Sequence, residues 1–294
     1  MPASCIRRCW SGLALIVLCL VSAASQAAAR EVRFFQADSR YTYRIQLLEL
    51  ILDKTRDEGP FELYPVYTDV TPERGLALLK SGGLDVVSMP TTQALEHDFR
   101  AVPVDILRGI LGYRLLLIRK ERQGEFASIH SLAQLRTMSF GFVSQWADLP
   151  ILQHNQLQVM PAPHYPSLFA MLDKGRFDAF PRGVNEIWQE LEEHKQTYPD
   201  LAVEHNLLLY YPYPVFFFVH RDNISLANRL QRGLDIALKD GSMQKLFMQF
   251  HASALAKADL GHRRLITLVN PAFPAAQAPP DTHWWLPGKL HSQP

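Results

Sequence analysis

The sequence predicts an α/β fold in which mainly parallel sheets are flanked by helices. Short apolar or alternating runs, typical of strands, alternate with longer runs that carry apolar residues at helical spacing. This alternation occurs twice, once on each side of the long apolar segment 112–120. Without a predicted leader the chain retains about 265 residues, which allows one large domain or two smaller ones.

The first series contains three strands and two helices. Its second helix has a proline in the first turn and two glycines after its end, which is the arrangement expected at helix termini. Its last strand, LDVVSM, is largely apolar and is predicted to be buried. The predicted strands are 31–37, 61–67 and 84–89, and the predicted helices are 43–54 and 71–81, the latter capped by Thr71.

The second series again alternates strand and helix and ends in two helices. Asp240 and Gly241 separate these two helices. The sequence from Pro271 onward is rich in proline and alanine, so we expect it to be loosely held or wrapped along the surface. The predicted strands are 112–120, 138–146, 176–180 and 213–220, and the predicted helices begin at Ser131 and near 147 or span 166–174, 185–195, 225–239 and 242–251.

The N-terminal segment 1–29 has the layout of a secretory signal peptide. Two arginines precede the apolar run 13–21, and the small-residue stretch SAASQAAA follows. The apolar run is short for a stable transmembrane span, although an uncleaved anchor is the alternative. We therefore expect cleavage after Ala27 or Ala29 and a protein exported to the periplasm.

The sequence lacks the residues that several kinds of catalytic and binding site require. All three cysteines (Cys5, Cys9 and Cys19) lie in the predicted signal peptide, so the mature chain would have no disulfide and no thiolate. The sequence has no glycine-rich phosphate loop, no HExxH pair and no G-x-S-x-G elbow. A formal net charge of +1 does not indicate nucleic acid as a partner. We expect a soluble monomer without metal or cofactor.

The order of these segments resembles the type II periplasmic solute-binding proteins, near the amino-acid-binding group of solute-binding protein family 3, as a separate branch. The resemblance spans nearly all of residues 31–252. The stretches that carry it are EVRFFQADSRYTYRIQLLELIL, RGLALLKSGGLDVVSMPTTQALEHDFRAVPV, GILGYRLLLIRK, SIHSLAQLRTMSFGFVSQW, GRFDAFPRGV and LANRLQRGLDIALKDGSMQKLF.

The resemblance implies a two-lobed fold with a solute-binding cleft between the lobes. Each lobe would be a mainly parallel sheet flanked by helices, and two crossover strands, GYRLLLIRK and YPVFFFVH, would join them. Lobe one would comprise 30–112 and 213–270, lobe two 113–212, and the tail 271–294. The implied function is capture of a small-molecule solute for an inner-membrane transporter or a sensor.

The resemblance also bears on the charge of the solute. Many family members place an aspartate for the ligand amine at the end of a lobe-two strand, where this chain has Pro181 and Arg182. Arg100 comes several residues later than the arginine that usually holds the ligand carboxylate. An arginine at position 182 would repel an amine and attract a carboxylate or phosphate. We therefore expect a polar, anionic solute rather than an ordinary α-amino acid.

The candidate ligand contacts stand at strand ends, and each has a structural alternative. The two threonines offer hydroxyl groups or cap a turn, the tyrosine stacks on the ligand or packs in the core, and Arg114 binds ligand or forms a hinge salt bridge. Gln145 and Trp146 precede a helix that Asp148 is placed to cap and whose N-terminus would favour an anion, and the alternative for Trp146 is packing in the core of lobe two. Arg182 is a ligand clamp or a charge paired with the acidic helix after it. The candidates are Tyr41, Thr91, Thr92, Arg114, Gln145, Trp146 and Arg182.

Two other functions are compatible with the same fold. A periplasmic enzyme, such as a dehydratase-like lyase, would need a general acid or base in the cleft. Glu96, His97 and Asp98 are the candidates, and a solvated run of charges is the alternative for them. The third function is an interaction module that has lost its ligand site, because fold does not decide function.

Since no cysteine would remain after cleavage, a reducing agent should leave the thermal unfolding curve of the secreted protein unchanged. The measurement is circular dichroism melting with and without dithiothreitol. A clear shift of the midpoint on reduction would show that the cysteine-containing segment is retained.

Overall fold

The computed structural model describes residues 29–35, 41–66, 72–273 and 284–286. The signal-peptide prediction lies almost entirely outside these residues. The prediction of Thr71 as a helix cap and the prediction for most of the C-terminal tail also lie outside them. None of the helices in the described ranges is both long and apolar enough to cross a bilayer.

Strands and helices alternate along most of the described chain. The strands are β1 (Arg30–Phe34), β2 (Phe61–Pro65), β3 (Val86–Pro90), β4 (Arg100–Val102), β5 (Tyr113–Arg119), β6 (Ser139–Val143), β7 (Gln158–Ala162), β8 (Ala179–Gly183), β9 (Leu201–Val203), β10 (Leu207–Tyr210), β11 (Val215–Val219) and β12 (Arg264–Thr267). The α-helices are α1 (Thr42–Asp53), α2 (Pro72–Ser81), α3 (Gln93–Asp98), α4 (Gln123–Ala127), α5 (Leu132–Leu135), α6 (Leu149–His154), α7 (Tyr165–Asp173), α8 (Ile187–His194), α9 (Ile224–Lys239) and α10 (Ser242–Ala258).

These strands form two sheets, one in each lobe. Sheet one has the order β2-β1-β3-β11-β4; β1 runs parallel to β2 and β3, and β11 runs antiparallel to β3 and β4. Sheet two has the order β12-β10-β5-β8-β6-β7, with β9 beside β5. Within it β6 is parallel to β7 and β8, whereas β5 is antiparallel to β8, β9 and β10. The predicted two-lobed α/β fold is confirmed, but each sheet is mixed rather than mainly parallel, because as many strand pairs are antiparallel as parallel.

Strand β5 forms the centre of sheet two, between β8 and β10. Its side chains from Leu115 to Ile118 are fully buried, as expected for a strand that is covered on both faces. Burial of one such side chain contributes roughly 1.5–3 kcal/mol. Both β5 and β11, the predicted crossover strands, lie within single sheets. The crossing itself is made by the segments directly before them, 103–112 and 211–214.

The position of β12 differs from the predicted layout, in which all of 213–270 returned to lobe one. Strand β12 pairs in parallel with β10, so it extends sheet two. The buried guanidinium of Arg263 fixes this placement. It donates to the backbone carbonyls of Ala258, Glu204 and Leu207, at the end of α10 and the start of β10.

Strand β8 has the predicted length but lies three residues later than predicted, at Ala179–Gly183 instead of 176–180. The sequence placed a strand end at 180 and a helix start near Asn185, but β8 continues to Gly183 and α8 begins at Ile187. Proline is tolerated inside this strand because β8 pairs with β6 only at Ala179. The N–H that Pro181 lacks is therefore not needed for pairing with β6. The later end of β8 brings Arg182 into the sheet instead of leaving it in a turn.

Helices α1 and α9 make a close contact at Gly233. A β-carbon built at this position would lie 2.3 Å from the carbonyl oxygen of Ile51. Gly233→Ala should therefore destabilise the protein by about 1–3 kcal/mol through overpacking. This loss should occur although alanine is favoured over glycine in a helix by about 1 kcal/mol. The measurement is urea unfolding of purified protein.

Gly124 in α4 is the matched control for this substitution. No atom lies within 4 Å of a β-carbon built there. Gly124→Ala should therefore leave the free energy of unfolding unchanged or raise it slightly. Equal stabilities for the two variants would contradict the close contact between α1 and α9.

Candidate functional site

The candidate site is the cleft between the lobes, at the carboxyl ends of the parallel strands. In lobe one, β1 and β3 end beside the first turn of α1. In lobe two, β6 and β8 end before α6 and α8. Ligands of open α/β sheets bind at such ends. Tyr41, Arg44 and Ser88 line a depression of about 10 Å³ on the lobe-one side.

Arg182 lies inside lobe two rather than on an accessible cleft surface. Its side chain is 5% exposed, and its guanidinium donates to both carboxylate oxygens of Glu190, at 2.6 Å from Nε to Oε2. A carboxylate oxygen of Glu186 lies 3.1 Å from the same guanidinium. Burial lowers the pKa of Arg182, but the attraction of Glu190 and Glu186 outweighs burial and raises the pKa above its ordinary value. The contacts are those of a structural ion pair, the alternative reading of Arg182.

Aromatic rings surround the Arg182 guanidinium on its remaining sides. Its central carbon lies 4.6 Å from the ring centre of Trp146, 5.3 Å from Tyr165 and 5.1 Å from Phe180. Trp146 also stacks on Phe180. Trp146 is thus part of the packing around a buried cation, whereas Gln145 beside it is exposed. Cation–π contacts of this kind contribute about 0.5–2 kcal/mol each.

Arg114 forms a second buried ion pair, next to the connections between the lobes. Its guanidinium donates to Asp148 at 2.7 Å, and the Tyr211 hydroxyl donates to the same carboxylate oxygen at 2.7 Å. The rings of Tyr211 and Tyr213 lie 5.3 and 5.4 Å from the guanidinium carbon. The contacts match the hinge salt bridge that was the alternative for Arg114. Asp148 stands at the N-cap position of α6 as predicted, but its carboxylate makes no capping hydrogen bond, because it is bound to Arg114 and Tyr211.

The two candidate threonines use their hydroxyl groups within their own turn. Thr91 donates to Glu96 at 2.5 Å, and the Thr92 oxygen accepts a hydrogen bond from the Leu95 amide as the N-cap of α3. This is the capped turn that was their alternative.

The residues proposed as general acid or base, if the protein were an enzyme, are all on the surface. Glu96, His97 and Asp98 are exposed, and the His97 ring lies 2.9 Å from Asp98. These contacts are those of a solvated charge run. In the described ranges no group of three or more His, Cys, Asp or Glu residues could hold a metal ion.

Arg44, in the first turn of α1, is a cleft residue that the sequence reasoning missed. It donates to the Ser88 carbonyl at 3.3 Å, and its guanidinium lies 4.7 Å from the ring centre of Tyr41. Among the described residues no carboxylate oxygen lies within 4.0 Å of it. Burial lowers its pKa, although Tyr41 and Glu186 oppose that shift.

A signal for Arg44 was available in the sequence. A cation in the first turn of a helix opposes the helix dipole, so it is unfavourable there unless something else binds it. The positions three and four residues later are Leu47 and Leu48, which cannot pair with it along the helix. An unpaired arginine in this place indicates a partner outside the helix.

Glu186 was predicted only as a possible ion-pair partner of Arg182, in the acidic helix after it, but it also interacts electrostatically with Arg44 across the cleft. Its carboxylate lies 3.1 Å from Arg182 and 3.8 Å from Arg114. Burial raises the pKa of Glu186, but Arg182, Arg114 and Arg44 together lower it below its ordinary value. The carboxylate is therefore ionised at neutral pH.

The described cleft is balanced in charge. Arg114 is matched by Asp148, and Arg182 is matched by Glu190. Glu186 on lobe two is shared between these two arginines, and Arg44 on lobe one is the cleft cation with no carboxylate within 4.0 Å among the described residues.

Solved structures with a similar fold were found by comparison. The probable amino-acid transporter extracellular-binding protein ytmK of Bacillus subtilis has a TM-score of 0.57 and 13% identity over 76% of this chain and 97% of that chain. A Salmonella typhimurium periplasmic binding protein with high arginine specificity has a TM-score of 0.53 and 17% identity over 76% and 99%. The chain has the type II periplasmic-binding-protein fold.

A periplasmic domain of Bordetella pertussis BvgS has the same fold, with a TM-score of 0.55 and 16% identity over 76% of this chain and 93% of that domain. No protein-family model and no curated protein sequence matches this chain. At these low identities the likeness establishes the fold and does not establish a ligand.

The Arg182–Glu190 pair gives a prediction for stability. Arg182→Ala should destabilise the protein by about 3–5 kcal/mol, because it leaves the Glu190 carboxylate buried without a partner. The double variant Arg182→Met with Glu190→Leu should recover most of this loss, since it removes both charges. The measurement is the free energy of unfolding in urea.

Arg232→Ala is the control, because Arg232 forms exposed ion pairs with Asp57 and Glu58. That substitution should cost under about 1 kcal/mol. If Arg182→Ala were as mild as the control, Arg182 would be an accessible cleft residue after all.

Proposed function

We propose that the protein is a periplasmic solute-binding protein that closes its two lobes around a small polar solute carrying an anionic group. It would deliver the solute to an inner-membrane transporter or a sensor. The observation that carries the proposal is the cation of Arg44, which stands at the carboxyl ends of lobe-one strands and faces lobe two. The predicted signal peptide supports export to the periplasm.

The comparisons support binding and delivery rather than catalysis. The similar structures include binding proteins of amino-acid transporters and a histidine kinase sensor domain. The exposure of Glu96, His97 and Asp98 also weighs against an enzyme, since a general acid or base must reach the substrate in the cleft.

The matched ion pairs narrow the choice of residues that would bind the solute. Arg114 and Arg182 each have a buried carboxylate partner already, so a ligand anion would have to displace it. Arg44 has no such partner among the described residues, and burial disfavours its unpaired charge. A carboxylate or phosphate would supply the missing anion, with the Tyr41 ring against its carbon skeleton.

Glu186 adds a second requirement from the opposite lobe. It is ionised and would accept hydrogen bonds from the solute across the cleft. A solute that carries an anion at one end and a hydrogen-bond donor at the other would therefore contact both lobes. Contacts that exist only when the lobes are together are what would favour closure, because a ligand shifts an equilibrium only through differential affinity.

The ligand can be identified by thermal melting against a panel of amino acids, dicarboxylates, phosphates and short peptides. A compound present at 100 times its Kd should stabilise the native state by about 2.7 kcal/mol. Turnover of a stabilising compound would favour the enzyme, and a panel without effect would favour an interaction module.

Arg44→Gln should then weaken binding of the stabilising compound by about 2–5 kcal/mol, because the charge pair would be desolvated in the closed cleft. Arg56→Gln is the matched control near the other end of α1, where Arg56 forms an exposed pair with Asp53. The measurement is titration calorimetry of both variants and the wild type. Equal affinities for Arg44→Gln and the wild type would contradict the role of Arg44.

A further inference from the structure

The chain connects the two lobes a third time, after α10. Helix α10 packs on α1 and α9 of lobe one, whereas β12 lies in sheet two. Residues 259–263 therefore link the lobes at the Leu207 end of β10, whereas the connections 103–112 and 211–214 lie at its Tyr210 end, toward which β12 runs. Each crossing adds a covalent link that any relative movement of the lobes must accommodate.

The chain beyond β12 is hydrogen-bonded to lobe two and to the second connection. The Leu268 amide donates to the Tyr210 carbonyl at 2.7 Å, and the Asn270 side chain donates to the Pro212 carbonyl at 2.8 Å. This part of the C-terminal region is thus firmly attached to the second connection.

Trp285 returns to the same region from further along the chain. It is 7% exposed, and its indole N–H donates to the Arg108 carbonyl in the first connection at 2.7 Å. Its ring lies 5.4 Å from Tyr113, at the start of β5, and 6.1 Å from Phe247 in α10. Trp284 packs on Phe247 at 5.1 Å. One short segment therefore contacts lobe one, lobe two and a connection between them.

The first connection is itself tightly held where Trp285 binds it. The Asp105 carboxylate accepts hydrogen bonds from the amides of Leu107, Gly109 and Val215. Arg108 has a left-handed backbone conformation, with φ at 50°.

The two connections also touch each other directly. The Tyr211 amide donates to the Gly112 carbonyl at 3.2 Å. A β-carbon at Gly112 would lie 2.3 Å from the Tyr211 carbonyl oxygen, so this close approach requires glycine. The connection that Trp285 contacts is therefore itself bound to the second connection and is not an isolated loop.

We propose that residues 284–286 form a hinge clamp, which holds α10 of lobe one and β5 of lobe two in their present arrangement and thereby limits opening of the cleft. Rotation of the lobes about the connections would move Phe247 relative to Tyr113. Trp285 contacts both rings, so rotation must break one of these contacts. A buried tryptophan removes about 150–250 Å² from water, and that burial would be lost on opening.

The contacts of Trp285 limit movement of the lobes whichever solute binds between them. The hinge clamp is therefore tested without ligand. The chain from residue 30 onward contains no cysteine, so a pair of spin labels can be placed on introduced cysteines. Lys80→Cys at the end of α2 and Lys174→Cys after α7 provide exposed positions, one on each lobe.

The measurement is the distance distribution between the two labels in the chain that ends at residue 294. Trp285→Ala should shift this distribution by several ångströms to longer distances, or broaden it in that direction. Trp285→Phe keeps an aromatic ring but cannot donate to the Arg108 carbonyl, so it should give a smaller shift in the same direction. Tyr198→Phe, whose ring stacks on His194 within lobe two, is the control and should leave the distribution unchanged.

Identical distributions for the wild type and both Trp285 variants would overturn the hinge clamp. The same conclusion would follow if Trp285→Ala lowered the melting temperature without changing the distances, since Trp285 would then contribute packing only. If Trp285→Ala failed to fold, Trp285→Phe would decide the question alone. Absence of any stabilising compound in the melting panel would contradict the proposed function and leave this result intact.

Discussion

Neutralisation of two buried arginines is the constraint on which the cleft of this protein depends. An unpaired charge in the interior costs several kcal/mol, so Arg114 and Arg182 must each be met by a carboxylate. Glu190 meets Arg182 and thereby fixes α8 against β8. Asp148 meets Arg114 and holds the residues before α6 against β5 and Tyr211. The strand ends and helix starts that face lobe one are positioned by these two pairs.

This arrangement separates the charges that build the cleft from those that can act in it. Arginine on a binding protein suggests an anion-binding role, but Arg114 and Arg182 are each already paired with a buried carboxylate. Arg44 and Glu186 have opposite sign and belong to opposite lobes, and Glu186 also lies 3.1 Å from Arg182. The charge of the described cleft therefore permits a solute with both an anion and a donor group, which is a wider class than the sequence alone indicated.

The fold was predictable because it depends on patterns that extend over many residues. Alternating strand and helix periods placed most elements within a few residues of their observed bounds. The predictions for short elements were wrong for local reasons. Pro181 suggested the end of a strand, yet it lies in β8 where only one neighbouring strand needs a hydrogen bond. Strand β12 has only four residues, and its register is set by β10, which no local pattern reveals.

The site was less predictable, because burial and pairing depend on contacts distant in sequence. The position of Arg182 at a strand end was recognised, but its partner Glu190 lies in the next helix and only the packing of α8 brings it inward. Arg44 lies within a stretch that the resemblance links to ligand binding, but its place in the cleft depends on the packing of α1 beside β3, where it donates to the Ser88 carbonyl. The composition of the tail suggested loose attachment, whereas the two adjacent tryptophans offered the apolar area that binds it.

The chain order of the two sheets has a consequence for how the protein is made. Strand β3 of sheet one pairs with β11, and β10 of sheet two pairs with β12. Both partners are synthesised much later, so each sheet lacks a strand until late in synthesis. Such long-range pairing forms slowly, and until it forms, β3 and β10 expose unpaired edges that can aggregate. A chain that cannot complete either lobe early stays unfolded for most of its synthesis, which would be compatible with the export that its N-terminal sequence predicts.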